Sequence, residues 1–364
     1  MNPPSRTASA STLAAPAEGR STARRVTFIV AALVWAVWLI GMASGDRWHL
    51  FASGWYMSAT MMLGSFIAGA TSEGGGAVAF PVMTLFFEVP PPVARDFSLM
   101  IQTVGMVAAA ITIFAVRIPV ERRALVWATL GGAVGVVIGL EYVAPMMAKD
   151  PRLAKMTFLS VWLAFAFALF WINRYHEREV RHTIDHFGSR HIVLLIGAGV
   201  VGGVITGITG SGLDILTFAL LVLRFRITES VATPTSVVLM GVNAAVAFAW
   251  KGGLKPLLDP SASGMATQAW NYWWVCVPIV VVGAPAGARF IRNRSRLFVA
   301  SILYVSIAIQ FVAGLFIIEQ TPFLLAYSAG IFLVGLFLFH RMAAGGVKRL
   351  AWLSDVEAGR VEPK

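Results

Sequence analysis

Residues 64–87 read GSFIAGATSEGGGAVAFPVMTLFF, and residues 202–225 read GGVITGITGSGLDILTFALLVLRF. Laid over one another, Gly64, Gly69, Thr71, Gly74, Phe80, Leu85 and Phe87 fall on Gly202, Gly207, Thr209, Gly212, Phe218, Leu223 and Phe225. The register holds further on, where Ala94, Ser98 and Ala109 meet Ala232, Ser236 and Ala247. Gly135 and Gly139 meet Gly283 and Gly287 after extra residues that the loop 251–269 accommodates. Chance matches of Gly, Ala and Leu are common in apolar sequences. Gly-x-Thr-x-x-Gly followed by a serine at the same distance in both copies is not, so the chain reads as an internal duplication.

The matched stretches lie among long apolar blocks. Of the 364 residues 57% are hydrophobic and only 13% charged, with a mean hydropathy of +0.75. Soluble domains carry about 25% charged residues. A bilayer core takes about 20 apolar residues per helix. In lipid each backbone group must be satisfied within its own segment, so blocks of this length are helices. The alternation of a membrane barrel is absent. The expected fold is an all-α polytopic membrane protein with ten long spans at 26–44, 52–70, 97–116, 124–147, 154–172, 191–209, 231–250, 270–288, 297–318 and 322–340. Two short apolar pieces, 77–87 and 213–223, follow the glycine clusters. The organisation expected is a disordered cytoplasmic tail over 1–25, a peripheral span over 26–51, repeat units over 52–172 and 191–318, a basic loop over 173–190, and a last span with tail over 319–364. Arg24-Arg25 ahead of a full-length apolar stretch reads as a retained signal anchor rather than a cleaved leader.

Charge sets the expected topology. The formal net charge of +11 fits cytoplasmic loops rich in Lys and Arg, not a nucleic-acid partner. If each short piece carries the chain across the bilayer, the two units are inverted, and 22 of the 29 Lys and Arg lie on the side of the N-terminus. If each piece re-enters, the units are parallel and the count falls to 19 of 29. Crossing is favoured, with both termini, 117–123 and 174–190 cytoplasmic in a plasma or inner membrane. The single cysteine, Cys276, excludes an intramolecular disulfide and a cysteine-based metal site. The histidines 176, 182, 186 and 191 sit among charged loop residues and read as solvated rather than metal-binding.

Two stretches interrupt apolar runs: Thr71-Ser72-Glu73-Gly74-Gly75-Gly76 and Thr209-Gly210-Ser211-Gly212-Leu213-Asp214. Glycines let the backbone leave the helix and uncover N–H groups. A helix starting after the break aims free N–H donors and partial positive charge at what sits there, which suits a small anion. Thr71, Ser72, Thr209 and Ser211 add hydroxyl donors. Inverted symmetry would bring both breaks near the midplane, as in other transporters. The competing explanation is close helix packing. That accounts for Gly131, Gly135 and Gly139 but less well for three adjacent glycines, which face three directions. Glu73 and Asp214 are the carboxylates placed deep in the membrane, where an ionisable group is costly and points to function. They are the expected proton carriers. Ser98 and Gln102, with Ser236 and Asn243, are further candidate substrate contacts, against the alternative of interhelical hydrogen bonds. Arg95-Asp96 reads as a local ion pair rather than an anion fork, and no Lys or Arg is placed deep in a span.

Gly64-Ser-Phe-Ile-Ala-Gly69, then Gly74-Gly75-Gly76-x-x-x-x-Pro81 and Ala94-Arg95-Asp96-Phe97-Ser98, with a degenerate copy at 202–236, resembles the TauE/SafE sulfite exporter family of membrane transporters. The second copy has Gly210-Ser211-Gly212 for its glycine run and Ala219 in place of Pro81. The resemblance implies movement of sulfite, a sulfonate or a related sulfur anion, coupled to protons. The expected partners are thus a small anion, protons and the lipid bilayer, with no nucleic acid, cofactor or catalytic residue. An anion channel is the alternative, and a membrane enzyme using Glu73 and Asp214 is a weaker one.

Overall fold

The computed structural model describes residues 17–71, 74–173, 179–291, 296–358 and 360. Among them the chain is all-helical, with twelve helices and no strand beyond a single bridge between Arg181 and Ile227. The helices are α1 (Ala17–Ser44), α2 (Leu50–Ala70), α3 (Gly74–Pro81), α4 (Pro91–Ala115), α5 (Arg122–Met147), α6 (Pro151–Asn173), α7 (Ser189–Thr209), α8 (Leu213–Ala219), α9 (Glu229–Leu258), α10 (Thr267–Ile291), α11 (Arg296–Ile317) and α12 (Pro322–Glu357). Wider π turns extend α3 over Val82–Phe86 and α8 over Leu220–Arg224, and lie within α5 and α9 at Gly139–Val143 and Trp250–Leu254. Such turns are rare and concentrate at functional sites.

Nine of these helices are long and apolar enough to cross a bilayer. The expected tenth, α2, has 21 residues, about 31 Å at 1.5 Å per residue. Ser53, Tyr56, Ser58 and Thr60 dilute its hydropathy because it is packed by protein over much of its length. Phe28, Leu33, Val37, Ile40, Leu130, Val134 and Phe337 stand exposed on the outer surface. A soluble monomer rarely shows apolar surface on this scale; here it is the lipid face.

Several boundaries differ from the sequence reading, those of α1 and α12 most. Helix α1 begins at Ala17, so residues 17–25 are helix rather than tail; residues 1–16 lie outside the described residues. Adding turns to an existing helix avoids the cost of nucleation, so polar flanks join readily. For the same reason α12 continues to Glu357. At 36 residues it measures about 54 Å, beyond any bilayer core, and its last turns pack on the loop before α7. There Arg349 reaches the Asp185 carbonyl and His191 Nε2, and Arg181 Nη1 donates to Glu357 Oε1 at 2.8 Å.

Helix directions follow from the close contacts. Helix α2 runs parallel to α10, with Gly54 against Val275 and Gly69 against Ala284. Helix α4 also runs parallel to α10, with the Trp273 indole donating to the Met100 carbonyl and Gly105 against Val280. So α2 and α4 point the same way, and the segment between them, containing α3, returns the chain across. In the second half α7 and α9 both run parallel to α5. Gly131 meets Ile196 and Gly139 meets Val204, while the Glu121 amide donates to Thr235 and Gly132 adjoins Asn243. The segment containing α8 therefore crosses too. The equivalent helices α4 and α9 run antiparallel, with Asp96 on Lys251 and Met106 on Gly241. Equivalent helices of opposite direction make the two halves inverted. Thr27 near both Thr112 and Arg289, and Arg181 near both Ile227 and Glu357, put α1's start, α12's end and the loop 179–188 on one face.

Swapped packing holds the halves together. The first helix of each half, α2 or α7, beds into the other half's α10 or α5. A Cβ on Gly69 would lie 1.9 Å from the Ala284 oxygen, and one on Gly135 2.2 Å from the Val200 oxygen. Without a hydrophobic drive between helices in lipid, such backbone-to-backbone approach is what glues them.

Candidate functional site

The second break is described in full. Helix α7 ends at Thr209, and Gly210 and Gly212 take φ of +85° and +151°. Residues with a Cβ are strained there, which is why glycine occupies both. The turn aims α8 back across the protein. Asp214, 1% exposed, accepts from the Gly212 and Ile215 amides at 3.0 Å each and from Ser211 Oγ at 3.1 Å. Thr209 Oγ1 donates to the Ile205 and Ser211 carbonyls. The Leu213 amide donates to Thr206 Oγ1. Much of the donor capacity of this turn is thus spent on its own carboxylate and hydroxyls.

Helix α4 meets this turn. Gln102 Nε2 donates to the Gly210 carbonyl at 2.7 Å and to the Ser98 carbonyl at 2.9 Å. A Cβ on Gly210 would sit 2.5 Å from that of Ser98. Asn243 of α9 and Leu213 both border Gly132. The fold therefore gathers Ser98, Gln102 and Asn243 around the second break. Several of their polar atoms are buried without a hydrogen-bond partner: Ser98 Oγ, Gln102 Oε1, and both side-chain atoms of Asn243. Thr217 Oγ1, one turn along α8 from Asp214, is another, and nothing in the sequence pattern distinguished it. Buried polar groups are nearly always satisfied, so unpaired atoms of four residues around one helix break stand out.

The first break is described in part. Thr71 ends α2, with Oγ1 donating to the Ile67 carbonyl, and Gly74, Gly75 and Gly76 open α3. Ser72 and Glu73 lie outside the described residues. Ser236 turns back on its own helix, donating to the Thr233 carbonyl. The two breaks do not meet at the midplane. The second lies against Ser98, seven residues from the start of α4 at Pro91. The first lies beside Gly69, whose neighbour Ala284 is seven residues from the end of α10 at Ile291. Each is therefore roughly 10 Å inside a different face. The α3 and α8 segments, each more than a single turn long, separate them.

A buried ion cluster corrects two expectations. Arg95 Nε and Nη2 donate to Asp96 Oδ1 at 3.0 and 2.8 Å, the expected pair. Asp96 Oδ2 also takes Lys251 Nζ and the Ala266 amide. Asp96 is 1% exposed, so Asp214 is not alone among the described residues as a deep carboxylate, and Arg95 and Lys251 are cations inside the helical body. The expected span ended at 250, before Lys251-Gly252-Gly253. The π turn instead carries α9 through these residues and folds Lys251 under α4. Asp96 and Lys251 are 155 residues apart, a pairing no local spacing reveals. Beside them Glu141 takes Lys255 Nζ at 2.6 Å and the Trp250 indole at 2.9 Å.

Inverted halves, broken helices and unpaired polar groups at the break define a polytopic membrane transporter of the inverted-repeat kind. The sulfite exporter TauE/SafE family profile matches residues 56–313, and the chain belongs to that family of transporters. No curated protein and no solved structure matches it.

Proposed function

We propose that the chain is a proton-coupled secondary transporter of a small sulfur-containing anion: sulfite, a sulfonate or a related organosulfur anion. The anion is held at the glycine breaks and exposed alternately to the two faces as the inverted halves exchange roles. The observation that carries this reading is the group of buried, unpaired polar atoms of Ser98, Gln102, Asn243 and Thr217 around the second break. An anion site in a membrane interior needs donors that are otherwise unsatisfied. Asn243 Nδ2 is such a donor, and Ser98 and Thr217 can turn hydroxyls toward a guest. Thr71, Ser72 and Gly74–Gly76 are the equivalent candidates at the first break, a second station rather than part of the same one, while Thr209, Ser211 and Ser236 already spend their hydroxyls inside the protein. Glu73 and Asp214 carry the coupled proton.

The glycines supply one test. Gly75→Val covers the amides that open α3, so uptake of sulfite, thiosulfate, sulfoacetate and taurine into proteoliposomes falls to background while the protein still inserts and elutes as a single species. Uptake at the wild-type rate would remove the first break from the site. Orientation supplies another. The face bearing the start of α1 and the end of α12 is the cytoplasmic one in this reading, because most Lys and Arg lie on that side. In a Cys276→Ala background, cysteine at exposed His182 resists an impermeant thiol reagent in intact cells, while cysteine at exposed Ser261 reacts. The reverse pattern would turn the molecule over in the membrane.

A further inference from the structure

The buried ion cluster is shared between the two halves. Asp96 on α4 and Glu141 on α5 belong to the first half; Trp250, Lys251 and Lys255 on α9, and Ala266 just before α10, belong to the second. Asp96 Oδ2 takes Lys251 Nζ and the Ala266 amide. Glu141 takes Lys255 Nζ and the Trp250 indole, and faces Lys251 as well. Each of these contacts crosses from one half to the other. The Arg95–Asp96 pair, by contrast, stays within α4.

The cluster lies on the face opposite the start of α1 and the end of α12. Helix α5 starts beside the loop 179–188, where Arg123 Nη1 donates to the Ile184 carbonyl, and Glu141 is near its other end. The cluster also lies directly outside the second break. Ser98, two residues on from Asp96, abuts Gly210, and so does the Arg95 carbonyl. The opening beside Arg95, bordered by Pro91, Met147 and Ile208, has room for about one water molecule. That is too little for a sulfur anion, so on this side the break is shut, and the ion pairs span the seam between the halves that shuts it.

Two π turns present these residues. Gly139–Val143 carries Glu141, and Trp250–Leu254 carries Trp250 and Lys251. Such turns interrupt regular helix bonding and concentrate where a helix has a functional part. The duplication holds no second copy of the Asp96–Lys251 pair. The register that lays Ser98 on Ser236 and Ala109 on Ala247 lays Asp96 on Pro234 and Lys251 on Ile113. Whatever this pair does for one face, its twin positions do not do for the other.

We propose that Asp96–Lys251 and Glu141–Lys255 are a reversible lock that closes the second break to this face and opens when the π turn of α9 parts from α4 and α5. The proposal rests on the anion-transport reading and adds which contacts part. Ion pairs suit such a lock. Desolvation nearly cancels the attraction of a buried pair, so a pair that separates into water loses little overall. An apolar seam would lose the free energy of its burial outright. Arg95 stays with Asp96 when Lys251 leaves, so the carboxylate is not left alone in either state.

The test is the rate at which a small methanethiosulfonate reagent labels Ile208→Cys, in a Cys276→Ala background, in purified full-length protein. Ile208 is buried and borders the opening beside Arg95. Lys251→Met keeps an unbranched side chain and leaves Asp96 paired with Arg95, so the fold is retained while the link between halves is lost. Labelling then speeds up about tenfold or more, because a buried pair that loses one partner destabilises the form that buries it. An unchanged rate in a folded Lys251→Met protein would overturn the lock and leave the transport reading standing. Should that variant not fold, Glu141→Cys with Lys255→Cys in the same background decides the matter. Bridging the two with a short bis-methanethiosulfonate stops uptake of sulfite, thiosulfate, sulfoacetate and taurine into proteoliposomes, and a reductant restores it; uptake undiminished by the bridge overturns the proposal. No uptake of any of these anions by the wild type would sink the transport reading, and the lock with it, whatever the labelling shows.

Discussion

Asp214→Asn abolishes gradient-driven accumulation while leaving anion exchange intact. The carboxylate is buried at the second break, accepts two amides and a hydroxyl, and has no cation paired with it among the described residues. The anion proposed to bind among Ser98, Gln102 and Asn243 would meet a like charge across a low dielectric, where repulsion is strong. A proton on the carboxylate removes that repulsion, so proton and anion load together and travel in the same direction. With one proton per monovalent anion, a gradient of one pH unit sustains about tenfold accumulation, each tenfold corresponding to about 1.4 kcal/mol. Asparagine keeps an acceptor for the Gly212 and Ile215 amides but carries no titratable proton. The accumulation ratio in proteoliposomes then drops to near unity, the pH dependence of binding flattens, and counterflow of labelled anion persists. Glu73→Gln is the companion variant. If both keep the wild-type pH profile, neither carboxylate carries the proton and the coupling scheme proposed here is wrong.

Gly135→Val costs the fold about 3 kcal/mol or more, the upper range for overpacking a tight interface. The added Cβ would lie 2.2 Å from the Val200 oxygen and 2.8 Å from its carbon. Those are backbone atoms of α7, unable to swing aside, so α5 and α7 must separate along their whole seam. Gly131 and Gly139 on the same face meet Ile196 and Val204 in the same way. Gly197 of α7 is the control, because a Cβ there meets nothing within 4 Å; valine at that position shifts stability by about 1 kcal/mol or less. Thermal unfolding in detergent, followed by the loss of monodisperse protein, reads both. Equal melting of the two variants would show that close approach of α5 and α7 is not what holds the halves together.

These two positions show how differently the residues speak. Gly135 announces itself in the sequence because close packing needs a small residue every fourth position, a local and periodic demand. The apolar blocks and the duplication at Gly69-x-Thr71 and Gly207-x-Thr209 were legible for the same kind of reason, while loop charge favoured the crossing of α3 and α8 without deciding it. Hydrophobic length, repeat register and loop charge are each written along the chain. Helix ends were less legible, since polar flanks such as Ala17–Arg25 and Met342–Glu357 join a helix once it is nucleated. Only the tertiary structure decided the rest. It placed the breaks on either side of the midplane instead of together, drew Ser98, Gln102 and Asn243 to the second break but left Ser236 on its own helix, and joined Asp96 to Lys251. Each of those depends on how helices from different halves pass one another. Such contacts join residues more than a hundred positions apart, so no periodicity records them. The sequence by itself determined the long spans and that they come in two related sets, because the bilayer acts on each segment alone. The tertiary structure decided which polar groups meet inside, because there each group's partner is supplied by another helix.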